Sequence, residues 1–178
     1  MSSYVLDDAI LRENRRSELA RRFILHGVRT QLVSRMTGLT RGRLATVRRR
    51  LMVGDESRRR GPTRNPLNIF LGNSPRARSE GAALAALIAW FCAAVRPRHG
   101  PAEGAGSLEL ADRLCETYEA FRACCPATEV HLEELITLRS LIARGEVVEV
   151  SKCRRCRCLI LIDRFSRDRE CSHCSSAP

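Results

Sequence analysis

Apolar positions recur at helical spacing in six stretches of the chain. Between Asn14 and His26, Leu19 and Phe23 with the flanking Ala20 and Ile24 form one stripe, while Arg15, Arg16, Arg21 and Arg22 lie mostly off it. Gly27 is a stop signal. A shorter helix follows through Gln31, Leu32, Val33 and Met36 to Gly38, and Thr40 is placed to cap another that continues to about Leu51. From Val53 to Ser79 the pattern breaks, with turn signals at Gly61-Pro62 and Asn65-Pro66 and the run Arg58-Arg59-Arg60. Leu67, Ile69, Phe70 and Leu71 interrupt that stretch, so part of it should pack down.

Ser79 to Val95 is so rich in Ala and Leu that a helix buried around its whole circumference is expected. It ends at Arg96-Pro97, before a Gly/Pro-rich hinge from His99 to Gly106. Ser107 then caps a helix carrying Leu110, Leu114, Tyr118 and Phe121, and Thr128 caps one carrying Leu132, Leu135, Leu138 and Leu141, closed by Gly145. Two short β-rich runs, Glu146 to Val150 and Leu159 to Ile162, flank a cysteine cluster. The expected fold is mainly α, a multi-helix domain with an N-terminal helix-turn-helix and a small C-terminal four-cysteine region like a zinc ribbon. Its parts are residues 1–53, helical with the helix-turn-helix; 54–78, a basic linker or arm; 79–145, a helical core; and 146–178, zinc-binding.

Composition adds a partner. The 178 residues carry a net charge of +11, which suits a polyanion. The charge is front-loaded: residues 1–60 hold fifteen arginines against six acids, whereas 101–150 hold four against ten. Those acids read as solvated helix faces. Aromatics are only 4% of the chain, which argues against a β-sandwich and leaves few rings for stacking on single-stranded RNA. No signal peptide is visible, because Asp7 and Asp8 interrupt the start, and no stretch reads as a membrane span, so a cytoplasmic protein is expected.

Nine cysteines in a reducing compartment call for metal ligation or burial, not disulfides. Cys153 and Cys156, then Cys171 and Cys174, form two C-x2-C pairs separated by fourteen residues. Each short spacing puts two thiolates on one metal, and the longer loop returns the second pair to complete a tetrahedron, so one structural Zn2+ per chain is expected on these four. Cys158 and His173 lie within ligand reach as substitutes. Lys152, Arg154, Arg155, Arg157 and Arg169 surround the cluster and favour thiolates. Cys92, Cys115, Cys124, Cys125 and Trp90 read as core residues, and His26 and His131 as surface or packing histidines.

At the other end, Val33, Ser34, Gly38, Leu39, Leu44 and Val47 meet the packing demands of a helix-turn-helix: a crossing point, a turn glycine and anchors for the second helix. Thr40, Arg41 and Arg43 then start the recognition helix, with Arg43 the preferred base reader, and Arg48, Arg49 and Arg50 are placed to meet phosphates. The competing reading is an ordinary helical hairpin with an arginine-rich solvated face. No nucleotide-binding, nucleophile-elbow or zinc-protease motif is present, so no enzyme is expected.

In Thr40-Arg41-Gly42-Arg43-Leu44, the Pro66 to Phe70 segment, Tyr118 to Pro126, the leucine-rich helix after it and the two C-x2-C pairs, the chain resembles the FlhC subunits of flagellar master transcription regulators. Cys158 is an addition to that pattern. The resemblance implies zinc on the four paired cysteines and a hetero-oligomer, a heterohexamer, with the partner subunit FlhD. It also implies activation of flagellar class II promoters on double-stranded DNA together with RNA polymerase. A zinc-ribbon RNA-binding or ribosome-associated protein is the alternative that charge and zinc would serve equally well.

Overall fold

A computed structural model describes residues 2–51, 65–72, 74–92, 108–145, 147–166 and 168–175, without the side chains of residues 2–8 and 66. The Arg58-Arg59-Arg60 run, the Gly61-Pro62 turn, the hinge from His99 to Gly106 and the Ser107 cap lie outside the described residues. Among those described there are eight helices: α1 (Ser2–Leu25), α2 (Thr30–Thr37), α3 (Arg41–Arg50), α4 (Pro66–Phe70), α5 (Pro75–Cys92), α6 (Leu108–Cys124), α7 (Leu132–Arg144) and α8 (Ser172–Ser175). Strands β1 (Val148–Lys152) and β2 (Leu159–Asp163) form one antiparallel pair, so the chain is mainly helical, as its apolar spacing predicts. Two compact units divide it, residues 1–61 with 95–115 and residues 62–94 with 116–178. No helix among the described residues is long and apolar enough to cross a membrane.

In the first unit α1, α2 and α3 pack on one another. The stripe Leu19, Ala20, Phe23 and Ile24 is buried, and so are Val28, Val33, Leu39 and Leu44. Each such side chain removed from water contributes about 1.5–3 kcal/mol. The turn between α2 and α3 is built from its own residues: Gly38 takes φ 74°, the left-handed conformation that glycine adopts without a Cβ penalty, and its N–H closes on the Ser34 carbonyl at 2.8 Å. Ser34 Oγ donates to the Leu39 carbonyl at 2.7 Å, and the Thr40 hydroxyl accepts from the Arg43 N–H at 3.4 Å, capping α3 as expected. Helix α1 begins about a dozen residues before the predicted Asn14. Asp112, in the part of α6 that belongs to this unit, pairs with Arg15 and Arg22 of α1.

In the second unit α5 is central, packing against α4, α7, β2 and α8. It does so along one face, Gly81, Leu84, Ala85, Ile88 and Cys92, so the expectation of burial around the whole circumference is corrected. Trp90 is 82% exposed and not core, because it sits two residues beyond Ile88 and points away from that face. A Cβ on Gly81 would come within 3.1 Å of the Phe70 ring, which explains glycine where α4 presses on α5. Helix α5 starts at Pro75 and α4 also falls inside 54–78, so the described part of the predicted arm is largely helical.

Three other expectations change. Cys124 is exposed and Cys125 half-buried, since they terminate α6, whereas Cys92 and Cys115 are buried. Thr128 does not cap α7: its hydroxyl donates to Glu80 Oε2 at 2.9 Å and accepts from the Val130 N–H at 3.1 Å, and His131 occupies the N-cap. Glu133 and Glu134 are buried and not solvated; Glu134 Oε2 accepts the His131 N–H at 2.9 Å, a local satisfaction that offsets burying a carboxylate.

Candidate metal centre and basic helix face

The cysteine region is clamped within the second unit from both sides. Residues Ile160, Leu161 and Ile162 of β2 are buried, with β2 packing on α5, while β1 packs on α7. Register pairs Val148 with Asp163 and Lys152 with Leu159, so the strands deliver Cys153 and Cys158 side by side where the ladder ends. The Cys153 N–H donates to the Cys158 carbonyl at 2.8 Å and the Arg157 N–H to the Cys153 carbonyl at 3.0 Å, closing a tight knuckle. Arg157 completes it at φ 65°, a left-handed conformation unusual for a residue with a Cβ. The second pair arrives at α8, Cys171 directly before it and Cys174 on it, with the Ser172 hydroxyl 3.2 Å from that of Ser79 on α5. Arg155 Nη1 donates to the Cys174 carbonyl at 2.7 Å, and the Arg154 N–H to the Arg169 carbonyl at 3.0 Å, tying the two knuckles together.

Four sulfurs, those of Cys153, Cys156, Cys158 and Cys171, lie within 4.8 Å of one another and can hold a metal ion. A tetrahedral ion with metal–sulfur bonds of about 2.3 Å sets its ligands about 3.8 Å apart, so the donor set fits. Cys153, Cys156 and Cys171 come together as the spacing predicts; the fourth member of this group is Cys158 where Cys174 was expected. Cys174 adjoins it, its N–H donating to Cys171 Sγ at 3.3 Å and its side chain buried in the same small core as Cys153. His173 is exposed and outside the four. Sequence reasoning placed Cys158 as a substitute only; the signal for more was its position directly before β2, the strand that returns it to Cys153.

Backbone amides prepare part of the cluster for charge. The N–H groups of Cys156, Cys171 and Arg155 face the Cys153 sulfur and hold its pKa down at about 6, and Cys171 is lowered chiefly by the Cys174 N–H. Their neighbours respond in the opposite sense. Hydrogen bonding with the Cys156 thiol pushes Cys158 up to about 12, and bonding with the Cys171 thiol pushes Cys174 up to about 12, since thiolates in contact cannot all ionise without a cation. A bound dication reverses that and deprotonates coordinating thiols outright. Lys152, Arg154, Arg155 and Arg157 are exposed around the cluster and offset its negative charge.

In the first unit, Thr40, Arg41, Arg43, Arg49 and Arg50 are all exposed along α3. Arg43 forms an ion pair with Glu13 of α1, its side chain still 63% exposed, and Arg49 reaches Thr46 Oγ1 at 3.4 Å. Arg48 is the correction. It is only 5% exposed and donates from Nη2 to the Val28 carbonyl at 3.1 Å, so it braces α3 against the α1–α2 turn and does not face a phosphate. Its place four residues after the buried Leu44 is the sequence signal for this.

A comparison with protein-family models finds no match, and no curated protein matches the chain either.

Proposed function

We propose that this protein is a DNA-binding transcriptional activator with one structural zinc ion per chain. The observation that carries the reading is the exposed basic face of α3, seated on a buried base of α1 and α2 and following a glycine turn. A helix so presented offers Thr40, Arg41 and Arg43 at its N-terminal end to base edges in a major groove, with Arg49 and Arg50 further along for the phosphate backbone. The Arg43–Glu13 pair is no obstacle, because an exposed ion pair is worth at most about 1 kcal/mol and yields to a denser anion. Four converging thiols with no place reserved for water suit a zinc that stabilises the fold and does not hydrolyse. The resemblance to FlhC subunits supports the finer reading, a cytoplasmic hetero-oligomer with FlhD that works with RNA polymerase at flagellar class II promoters.

The test is binding of the full chain to such promoter DNA with and without FlhD, at low salt where phosphate contacts are strongest. No binding in the presence of FlhD would refute it. Within that assay Arg43→Ala is expected to lose about 1–3 kcal/mol and to relax sequence preference, whereas Arg49→Ala weakens specific and random duplexes alike. Equal loss on both duplexes for Arg43→Ala would make it a phosphate contact.

One observation favours a second reading. Phe165, 80% exposed, and Trp90 present rings to solvent, and Phe165 lies in the same arginine-bearing segment as the cysteines, an arrangement that suits stacking on single-stranded RNA. Tighter binding to single-stranded RNA than to duplex DNA, lost in Phe165→Ala, would favour it.

A further inference from the structure

The cluster holds more sulfur than one ion can use. Cys156 Sγ lies 3.3 Å from Cys158 Sγ and 3.6 Å from Cys171 Sγ, and Cys174, whose N–H donates to Cys171 Sγ at 3.3 Å, is buried in the same small core as Cys153. A tetrahedral site takes four ligands. Three thiols are common to both ways of choosing them.

We propose that Cys153, Cys156 and Cys171 form a fixed three-thiolate base and that Cys158 and Cys174 are interchangeable fourth ligands, making a five-thiol centre that can swap one arm. This rests on the metal-binding reading above. The two arms are held on different supports. Cys158 belongs to the first knuckle, where its carbonyl is pinned by the Cys153 N–H at 2.8 Å, and its side chain is exposed. Cys174 belongs to α8, is buried, and its carbonyl is pinned by Arg155 at 2.7 Å. An idle exposed thiol has every reason to stand apart from its neighbours; that of Cys158 touches Cys156 and groups with the sulfurs of Cys153 and Cys171. Zinc has no geometric preference from its d-electrons and takes any four thiolates set tetrahedrally, so one arm can replace the other, the arriving thiol giving up its proton as the departing thiolate takes one up. The chemical consequence is a site that keeps its metal when either arm is lost and hands it over quickly to an incoming thiol.

The experiment uses the zinc-loaded full chain, with zinc per chain measured and Co2+ substituted to count sulfur ligands from its thiolate charge-transfer absorption. Cys158→Ser and Cys174→Ser are each expected to hold one metal with a four-sulfur spectrum. The double variant should bind at least tenfold more weakly with three sulfurs. Metal loss in either single variant comparable to that in the double would identify a permanent fourth ligand and overturn the exchange, as would a double variant that binds like the parent. Folding of the variants does not limit the test, because zinc-loaded parent protein can be alkylated with iodoacetamide and mapped. Label divided between Cys158 and Cys174 is the expected result, and label confined to one of them overturns the proposal. Failure of the underlying metal reading is seen separately, as absence of zinc from the parent or its retention in Cys153→Ser.

Discussion

Cys153→Ser is expected to empty the metal centre and release the β1–β2 hairpin from α5 and α7. Cys153 is fully buried, its sulfur accepts the Cys171 N–H at 3.4 Å, and it belongs to either choice of four ligands. Serine supplies a harder and less acidic donor, so both the metal bond and the amide cradle weaken together. Structural zinc in small folds contributes an apparent binding free energy on the order of 10–16 kcal/mol at neutral pH, far more than the four buried side chains of this satellite core, Cys153, Ile160, Ile162 and Cys174, can replace. Zinc per chain should fall from about one to near zero, and proteolysis should cut within residues 147–175 while α1 to α3 stay protected. Unchanged zinc content would remove Cys153 from the ligand set.

The second large effect belongs to the other unit. Phe23→Ala should cost about 3–5 kcal/mol, because Phe23 is completely buried and alanine leaves a cavity that the surrounding helices can only partly close. Its helix α1 supports both α2 and α3, so the basic face of α3 loses its seat. Chemical denaturation followed by helical circular dichroism measures the first consequence and duplex DNA binding the second. A loss under about 1 kcal/mol with DNA binding intact would show that α1 is not the base on which α3 is held.

How far the sequence was legible depends on where its periodicity met a neighbour. The α2–turn–α3 segment was readable in detail because its signals are local: Gly38 needs a positive φ, Thr40 caps the N–H three residues on, and Val33 with Met36, then Leu44 with Val47, keep helical spacing on either side of the turn. The stretch of α1 just before Asn14 was not, since its large apolar residues Ile10 and Leu11 are exposed. Trp90 misled through its chemistry: a large apolar ring argues for burial, but the register of α5, fixed by Leu84 and Ile88, turns it outward. Arg48 misled in the reverse direction, since an arginine argues for solvent while its place behind Leu44 carries it under α3 to a backbone carbonyl. At the metal centre, spacing identified three of the four grouped sulfurs, because two residues between cysteines is a local constraint. Cys158 depended on strand pairing, which brings residues 153 and 158 together only once β1 and β2 have found their register.

The outward tryptophan has a practical corollary. Trp90 is the only tryptophan in the chain, and 82% of its surface meets water in the folded protein. Its emission therefore starts near the long-wavelength end of the indole range, so unfolding barely shifts the colour and intrinsic fluorescence is a poor thermometer of stability. The same property makes it a quiet background against which a molecule settling on that side of α5 would announce itself as a blue shift.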